Sequence, residues 1–323
     1  MGYDIETWVK VSAFVGSGVA MGFGAIGAAI GEGYTAAEAN AAISRNPDSA
    51  GNIFKSMLVG QAVAESAAIF ALVIAMMLLF TKHATSPIMI FIQISAGLCM
   101  GIGAIGSGIG SGYPAGETCK GIARQPGMAD RLTTTMLIGS AICQTSAIYA
   151  LVTSLILLYS DFASRPFSPT WAAVLGAGFA AGIGAIGSGI GEGLVAKSGC
   201  EGVARQPLNS APTTNGMLLG MAVAETTAIY GLLISVILMF KAFEPTASFA
   251  TAMALIASGL CMGLGAIGPG IGEGFTGSGA VRWMARSPED VGILTRSMLV
   301  GQAVAESTGI YSLVIALVLI FVI

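Results

Sequence analysis

The chain has 323 residues, of which 54% are hydrophobic and 10% charged, with a mean hydropathy of +0.82. A soluble domain carries about 25% charged residues, so this composition belongs to a membrane protein. The net charge of −3 and the lack of a basic patch exclude a nucleic-acid partner, and one histidine, His83, is too little for histidine catalysis or a zinc site.

The segment Met1 to Thr7 holds Asp4 and Glu6 and no basic residue, so no cleaved signal peptide is expected and the first apolar helix is retained. The sequence predicts eight helices, at about 8–43, 52–80, 86–122, 132–159, 169–203, 213–241, 248–284 and 292–322. Each exceeds the roughly 20 residues needed to cross a hydrocarbon core. Cys99, Cys119, Cys143, Cys200 and Cys261 are isolated, form no CxxC pair and read as small packing residues.

The helices come in pairs around four related loops: Arg45-Asn46-Pro47, Arg124-Gln125-Pro126, Arg205-Gln206-Pro207 and Arg286-Ser287-Pro288. The arginines are 79, 81 and 81 residues apart. This periodicity divides the chain into four tandem helical hairpins, 1–80, 81–160, 161–241 and 242–323. Ten basic residues lie on the loop side (Arg45, Lys55, Lys120, Arg124, Arg131, Lys197, Arg205, Arg282, Arg286, Arg296) and four on the other (Lys10, Lys82, Arg165, Lys241). The asymmetry predicts cytoplasmic Arg-x-Pro loops, with both termini on the opposite side.

The first helix of each hairpin is dense in glycine, as in GIGAIGSGIGEG from Gly182 to Gly193. Glycine weakens a helix in water by about 1 kcal/mol relative to alanine, but in lipid small residues let helices approach closely. At 100° per residue these glycines fall on two opposite faces, which predicts a row or closed ring of inner helices, each packed on both sides. A GxGxxG pattern at Gly101, Gly103 and Gly106 follows no strand and recurs in every hairpin, so it is not read as a nucleotide loop. The second helices are richer in Leu, Ile, Met and Phe and suit a lipid-facing outer layer.

Six glutamates lie deep in the spans: Glu32 and Glu65, Glu192 and Glu225, Glu273 and Glu306. GQAVAES from Gly60 to Ser66 returns unchanged at Gly301 to Ser307, becomes GMAVAET at Gly220, and becomes GSAICQT at Gly139. A charge at the bilayer centre costs on the order of 3 kcal/mol, so paired acids at fixed spacing point to ion carriage rather than packing. Hard cations take oxygen ligands, which the carboxylates, Ser66, Thr226, Ser307 and the carbonyls of Val63, Val223 and Val304 supply. Two carboxylates around one monovalent cation leave excess charge, so one of each pair holds a proton. The second hairpin has Ser111 and Gln144 in place of the acids and is expected to carry no ion.

Glycine-rich first helix, Arg-Gln-Pro loop and mid-membrane carboxylate together resemble the c-type, ring-forming proteolipids of F-type rotary ATP synthases, over essentially the whole chain. The sequence GQAVAES followed by TGIYSLVIAL is similar to the sodium-binding version. The resemblance implies an all-α membrane protein forming part of a double-layered rotor ring (the c-ring) with copies of itself and surrounding lipid. It implies a non-catalytic component in the cytoplasmic membrane of a prokaryote, with no organic cofactor. It further implies a stator partner bearing an arginine, and central-stalk partners that meet the loops at Arg45, Arg124, Arg205 and Arg286. Sodium, or alternatively a proton, would ride on Glu65, Glu225 and Glu306. The cages implied are Glu273, Val304, Glu306, Ser307 and Tyr311 in the fourth hairpin, and Glu192, Val223, Glu225, Thr226 and Tyr230 in the third. In the first they are Glu32, Val63, Glu65 and Ser66, with Phe70 where tyrosine is expected; some sites combine adjacent hairpins. Fused hairpins are more usual in vacuolar-type and archaeal-type complexes, which stand as the alternative parent. A non-rotary cation transporter with internal repeats is the rival from another class, although its repeats would more often be inverted.

Overall fold

The computed structural model describes residues 4–322. Met1 to Tyr3 and Ile323, which the expected outermost hairpin limits include, lie outside the described residues. Among the described residues all regular secondary structure is helical. The long glycine-rich helices are α1 (Ile5–Arg45), α3 (Pro87–Arg124), α6 (Phe167–Arg205) and α9 (Phe249–Arg286). Each is followed by an outer span: α2 (Ala50–Phe80), the pair α4 (Ala129–Ile142) and α5 (Thr145–Tyr159), the pair α7 (Ser210–Ala224) and α8 (Thr226–Phe240), and α10 (Val291–Phe321). Eight helical spans are long and apolar enough to cross a membrane.

The Arg-x-Pro loop explains where each inner helix stops. The residue before a proline is pushed out of the α region by the proline ring. Asn46, Gln125, Gln206 and Ser287 accordingly have φ of −143°, −135°, −134° and −126°. The proline then opens one 3-10 turn, at Pro47, Pro126, Pro207 and Pro288, which leads into the outer span. Neighbouring loops are tied together: Asn46 Nδ2 donates to the Ala123 carbonyl at 3.0 Å, and Asn209 Nδ2 to the Ala285 carbonyl at 2.9 Å. Beside them Lys120 lies 2.8 Å from Glu38 and 3.2 Å from Glu117.

The inner helices α1, α3, α6 and α9 stand side by side in chain order. The outer span of each of the first three hairpins lies against its own inner helix and the next one; α10 rests mainly on α9. Two layers result, offset by half a hairpin. Inner-helix packing is close enough to require glycine. A Cβ on Gly189 would come within 2.6 Å of the Gly106 and Ser107 backbone, and one on Gly270 within 2.6 Å of Gly187. Leucine, isoleucine and methionine on the outer layer, among them Ile69, Leu72, Met76, Ile148, Leu233 and Ile315, remain exposed, as lipid-facing positions require.

Two outer spans differ from the continuous helices expected at 132–159 and 213–241. They break at Gln144 and Glu225. The chain tightens there: Gln144 N bonds the Ala141 carbonyl at 3.1 Å, and Ala228 N bonds the Glu225 carbonyl at 3.1 Å. Both residues keep right-handed helical backbone angles, so the span continues in the same direction. At Glu65 and Glu306 the outer helix runs through unbroken.

Candidate ion-binding sites

Each site lies where an outer span crosses the midpoint of the inner row. In three of the four hairpins the side chain four residues before the acid position ties the two layers together; the third has Met221 there. Gln61 Nε2 donates to the Glu32 carbonyl at 3.2 Å, Ser140 Oγ to the Ser111 carbonyl at 3.1 Å, and Gln302 Nε2 to the Glu273 carbonyl at 3.2 Å. These bonds hold the outer acid level with its inner partner, as the pairs Glu32 with Glu65 and Glu273 with Glu306 require.

The polar groups around each acid come from two hairpins. Tyr149, on the second hairpin, donates its hydroxyl to Glu225 Oε1 on the third. Tyr230, on the third, donates to Glu306 Oε1 on the fourth. The structure therefore pairs Tyr230 with Glu306 rather than with the Glu225 of its own hairpin. Tyr149 is not among the residues that the sequence singles out, because the acid position in its own hairpin is Gln144. Its signal is positional: Phe70, Tyr149, Tyr230 and Tyr311 are repeat equivalents.

Carbonyls follow the same register. Gln144 Nε2 donates to the Val63 carbonyl of the first hairpin at 3.2 Å. Val63 thus faces the site of the hairpin after its own. By repeat equivalence, Ile142 and Thr145 correspond to Val63 and Ser66 at the junction with Glu225, and Val223 and Thr226 at the junction with Glu306. Ser66, Thr145 and Ser307 each donate to the carbonyl three residues earlier, at 2.6, 2.8 and 2.7 Å.

Two of the inner acids are the most enclosed, while Glu32 is half-buried. Glu192 and Glu273 are fully buried. Ser188 donates to Glu192 Oε1 at 3.1 Å. Glu192 Oε2, both carboxyl oxygens of Glu273 and the Thr226 hydroxyl have no hydrogen-bond partner. Buried carboxyl oxygens left unpaired are costly. This donor set, two carboxyls with a hydroxyl and a carbonyl, fits a cation of the hard, oxygen-seeking kind.

At the second hairpin the arrangement is closed by an amide. Gln144 Nε2 donates to Ser111 Oγ at 2.6 Å as well as to the Val63 carbonyl. Its nitrogen meets the preceding hairpin's carbonyl and the serine that stands where the other hairpins have an inner acid. Phe70, the equivalent of Tyr149 and Tyr230, stands on the preceding hairpin, so this junction has lost its phenolic hydroxyl along with both carboxyls.

The two ends of the row are open. Glu65 is exposed at one end, and Val304 and Tyr311 are 68% and 67% exposed at the other. On α1, Gly18, Gly22 and Gly33 have nothing within 4 Å of a Cβ position, although their equivalents in α3, α6 and α9 pack on a neighbouring backbone. Gly268 on α9 is open in the same way, while its equivalents Gly106 and Gly187 meet the next helix.

A family model for the C subunit of ATP synthase matches the chain four times, at residues 15–78, 94–157, 175–238 and 256–319. The K subunit of the A-type ATP synthase of Methanocaldococcus jannaschii is 32% identical over 228 residues, 70% of this chain and 94% of that protein. The ATP synthase c subunit of Thermotoga petrophila is 59% identical over 68 residues, 21% of this chain and 80% of its own length. That of Dehalococcoides mccartyi is 54% identical over 68 residues, 21% of this chain and 90% of its own length. Four matches in tandem cover well over half of the sequence, on four hairpins that repeat one glycine-packed design. The chain belongs to the ATP synthase C-subunit family, the non-catalytic membrane proteolipids of rotary ATPases.

Proposed function

We propose that this chain is a sodium-carrying rotor component in which three of four hairpins carry an ion. The observation that carries the reading is the junction between hairpins. A tyrosine from one hairpin holds the outer glutamate of the next, beside a buried inner glutamate with at least one unpartnered oxygen. Sodium replaces its water shell with such oxygens, and the tyrosine orients one carboxylate oxygen while the other turns to the ion. Glu65, Glu225 and Glu306 are the carriers. Glu32, Glu192 and Glu273 are the inner partners, each keeping a proton when sodium is bound so that the loaded site is neutral in lipid.

Copies of the chain complete the ring. The Gly18, Gly22 and Gly33 edge of α1 matches the Gly268 edge of α9 in the way successive inner helices already match within the chain. A head-to-tail contact of this kind closes into a ring when its rotation allows. It also delivers Val304, Ser307 and Tyr311 of one copy to Glu32 and Glu65 of the next, which supplies the first hairpin's missing tyrosine. The Arg-x-Pro loops then face the cytoplasm and the central stalk. An arginine on the stator would release the ion as each site passes.

Carbodiimide labelling tests the ion. Modification of Glu65, Glu225 and Glu306 slows when sodium is added at constant pH; labelling at one rate with and without sodium assigns the sites to protons instead. The parent complex has a second reading as an archaeal-type machine, favoured by the similarity to an A-type K subunit across 70% of this chain.

A further inference from the structure

The repeat makes one departure from it informative. Phe14, Gln93, Val174 and Leu255 are equivalent positions in the four inner helices, and only the second hairpin places a polar side chain there. Gln93 is fully buried. Its Oε1 accepts from the Ser12 hydroxyl at 2.5 Å, while its Nε2 has no hydrogen-bond partner. A buried amide is normally paired on both sides. Gln93 lines a cavity of about 530 Å³ between the first two hairpins, at the end away from the Arg-x-Pro loops. Pockets of about 300–1,000 Å³ hold small ligands.

The lining of this cavity changes along its depth. Lys10, Lys82 and His83 stand at the rim, and Phe14, Leu78 and Leu79 form an apolar wall. Lys10 is paired with Glu6 at 2.6 Å, whereas Lys82 has no carboxylate within ion-pair distance among the described residues. The connection holding Lys82 and His83 contains no acid, while the other two contain Asp161 and Glu244. Gln93 is six residues into α3 from Pro87, a rise of about 9 Å at 1.5 Å per residue. The cations stand at the rim, and the Gln93 amide shares the level beneath them with the apolar side chains of Phe14 and Leu78.

We propose that this cavity binds one anionic phospholipid. The phosphate meets Lys82 at the rim, an ester carbonyl accepts from Gln93 Nε2, and an acyl chain lies along Phe14, Leu78 and Leu79. A phospholipid likewise carries its phosphate outermost, with ester and acyl chain beneath it. The bound lipid would seal the first junction where Gln93 replaces an apolar side chain. This role is separate from ion carriage, and it holds whether the carried ion is sodium or a proton.

The test uses the full-length protein, extracted in its assembled form and exchanged into phosphatidylglycerol or phosphatidylcholine of identical chains, with retained lipid counted by native mass spectrometry. The unsubstituted protein retains phosphatidylglycerol at least five-fold over phosphatidylcholine. Lys82→Gln, an exposed change that leaves packing intact, lowers phosphatidylglycerol to the phosphatidylcholine level, and Gln93→Leu lowers retention of both. Equal retention of the two lipids, or retention unchanged in both variants, overturns the proposal. A third arm adds inorganic phosphate: displacement of the lipid at matched concentration marks a free-anion site and overturns the lipid assignment.

Discussion

The Tyr149 hydroxyl donates to the Glu225 carboxylate 76 residues further along the chain, on the neighbouring hairpin. Tyr230 and Glu306 repeat the relationship at the next junction, again 76 residues apart. On the proposed reading the working unit is the junction between hairpins rather than the hairpin itself. A hydrogen bond to a charged group contributes about 1.5–3 kcal/mol, and about 1.4 kcal/mol is a factor of ten in affinity. Tyr230→Phe should therefore raise the sodium concentration that half-protects Glu306 from carbodiimide about ten-fold, leaving Glu225 unchanged. Peptide-resolved mass spectrometry reads the two sites separately, and a change at Glu225 instead would assign the tyrosine to its own hairpin.

The second hairpin has lost several groups together. Gln144 supplies an amide where an acid would stand, Ser111 takes its hydrogen bond at 2.6 Å, and Phe70 replaces the tyrosine. Gln144→Glu alone should add a carboxyl that sodium fails to protect from carbodiimide. Adding Ser111→Glu and Phe70→Tyr should restore sodium protection at position 144. Full protection in the single variant would show that the inner acid and the tyrosine are dispensable.

Ring closure rests on the open glycine edge of α1. Nothing lies within 4 Å of a Cβ at Gly22, so Gly22→Leu should leave the eight spans of a single chain folded and block the next copy. The expected result is a normal helical circular-dichroism signal with loss of the multi-chain assembly in native mass spectrometry. Assemblies of unchanged mass would place the contact between copies elsewhere.

Much of this arrangement is legible in the sequence because it is local and repeated. The Arg-x-Pro tripeptides mark the hairpin turns, since proline constrains both itself and the residue before it. The glycine runs mark the packed inner row, since only a close helix contact tolerates their cost. Glu65, Glu225 and Glu306 stand out as acids in apolar runs. What stays hidden depends on the lateral neighbour. The family resemblance assigns Tyr230 to the cage of Glu225 in its own hairpin, but the half-hairpin offset of the two layers turns the tyrosine toward Glu306. Tyr149 has no visible partner in its own hairpin, which offers only Gln144. Gln93 is silent in the sequence because one glutamine in an apolar run looks the same whether its amide is satisfied or faces a cavity.

The proposed three carriers in four hairpins would have a consequence for coupling. In a ring built from this chain alone, each turn moves three-quarters as many ions as there are hairpins, so each ATP is coupled to fewer ions. Such a rotor favours ATP-driven pumping, or synthesis only under a large ion gradient. The direct measurement is the number of sodium ions moved per ATP hydrolysed by the reconstituted complex, set against the hairpin count of its ring. The expected value is three-quarters of the ratio that the hairpin count alone would give; a ratio matching the full count would contradict a silent second hairpin.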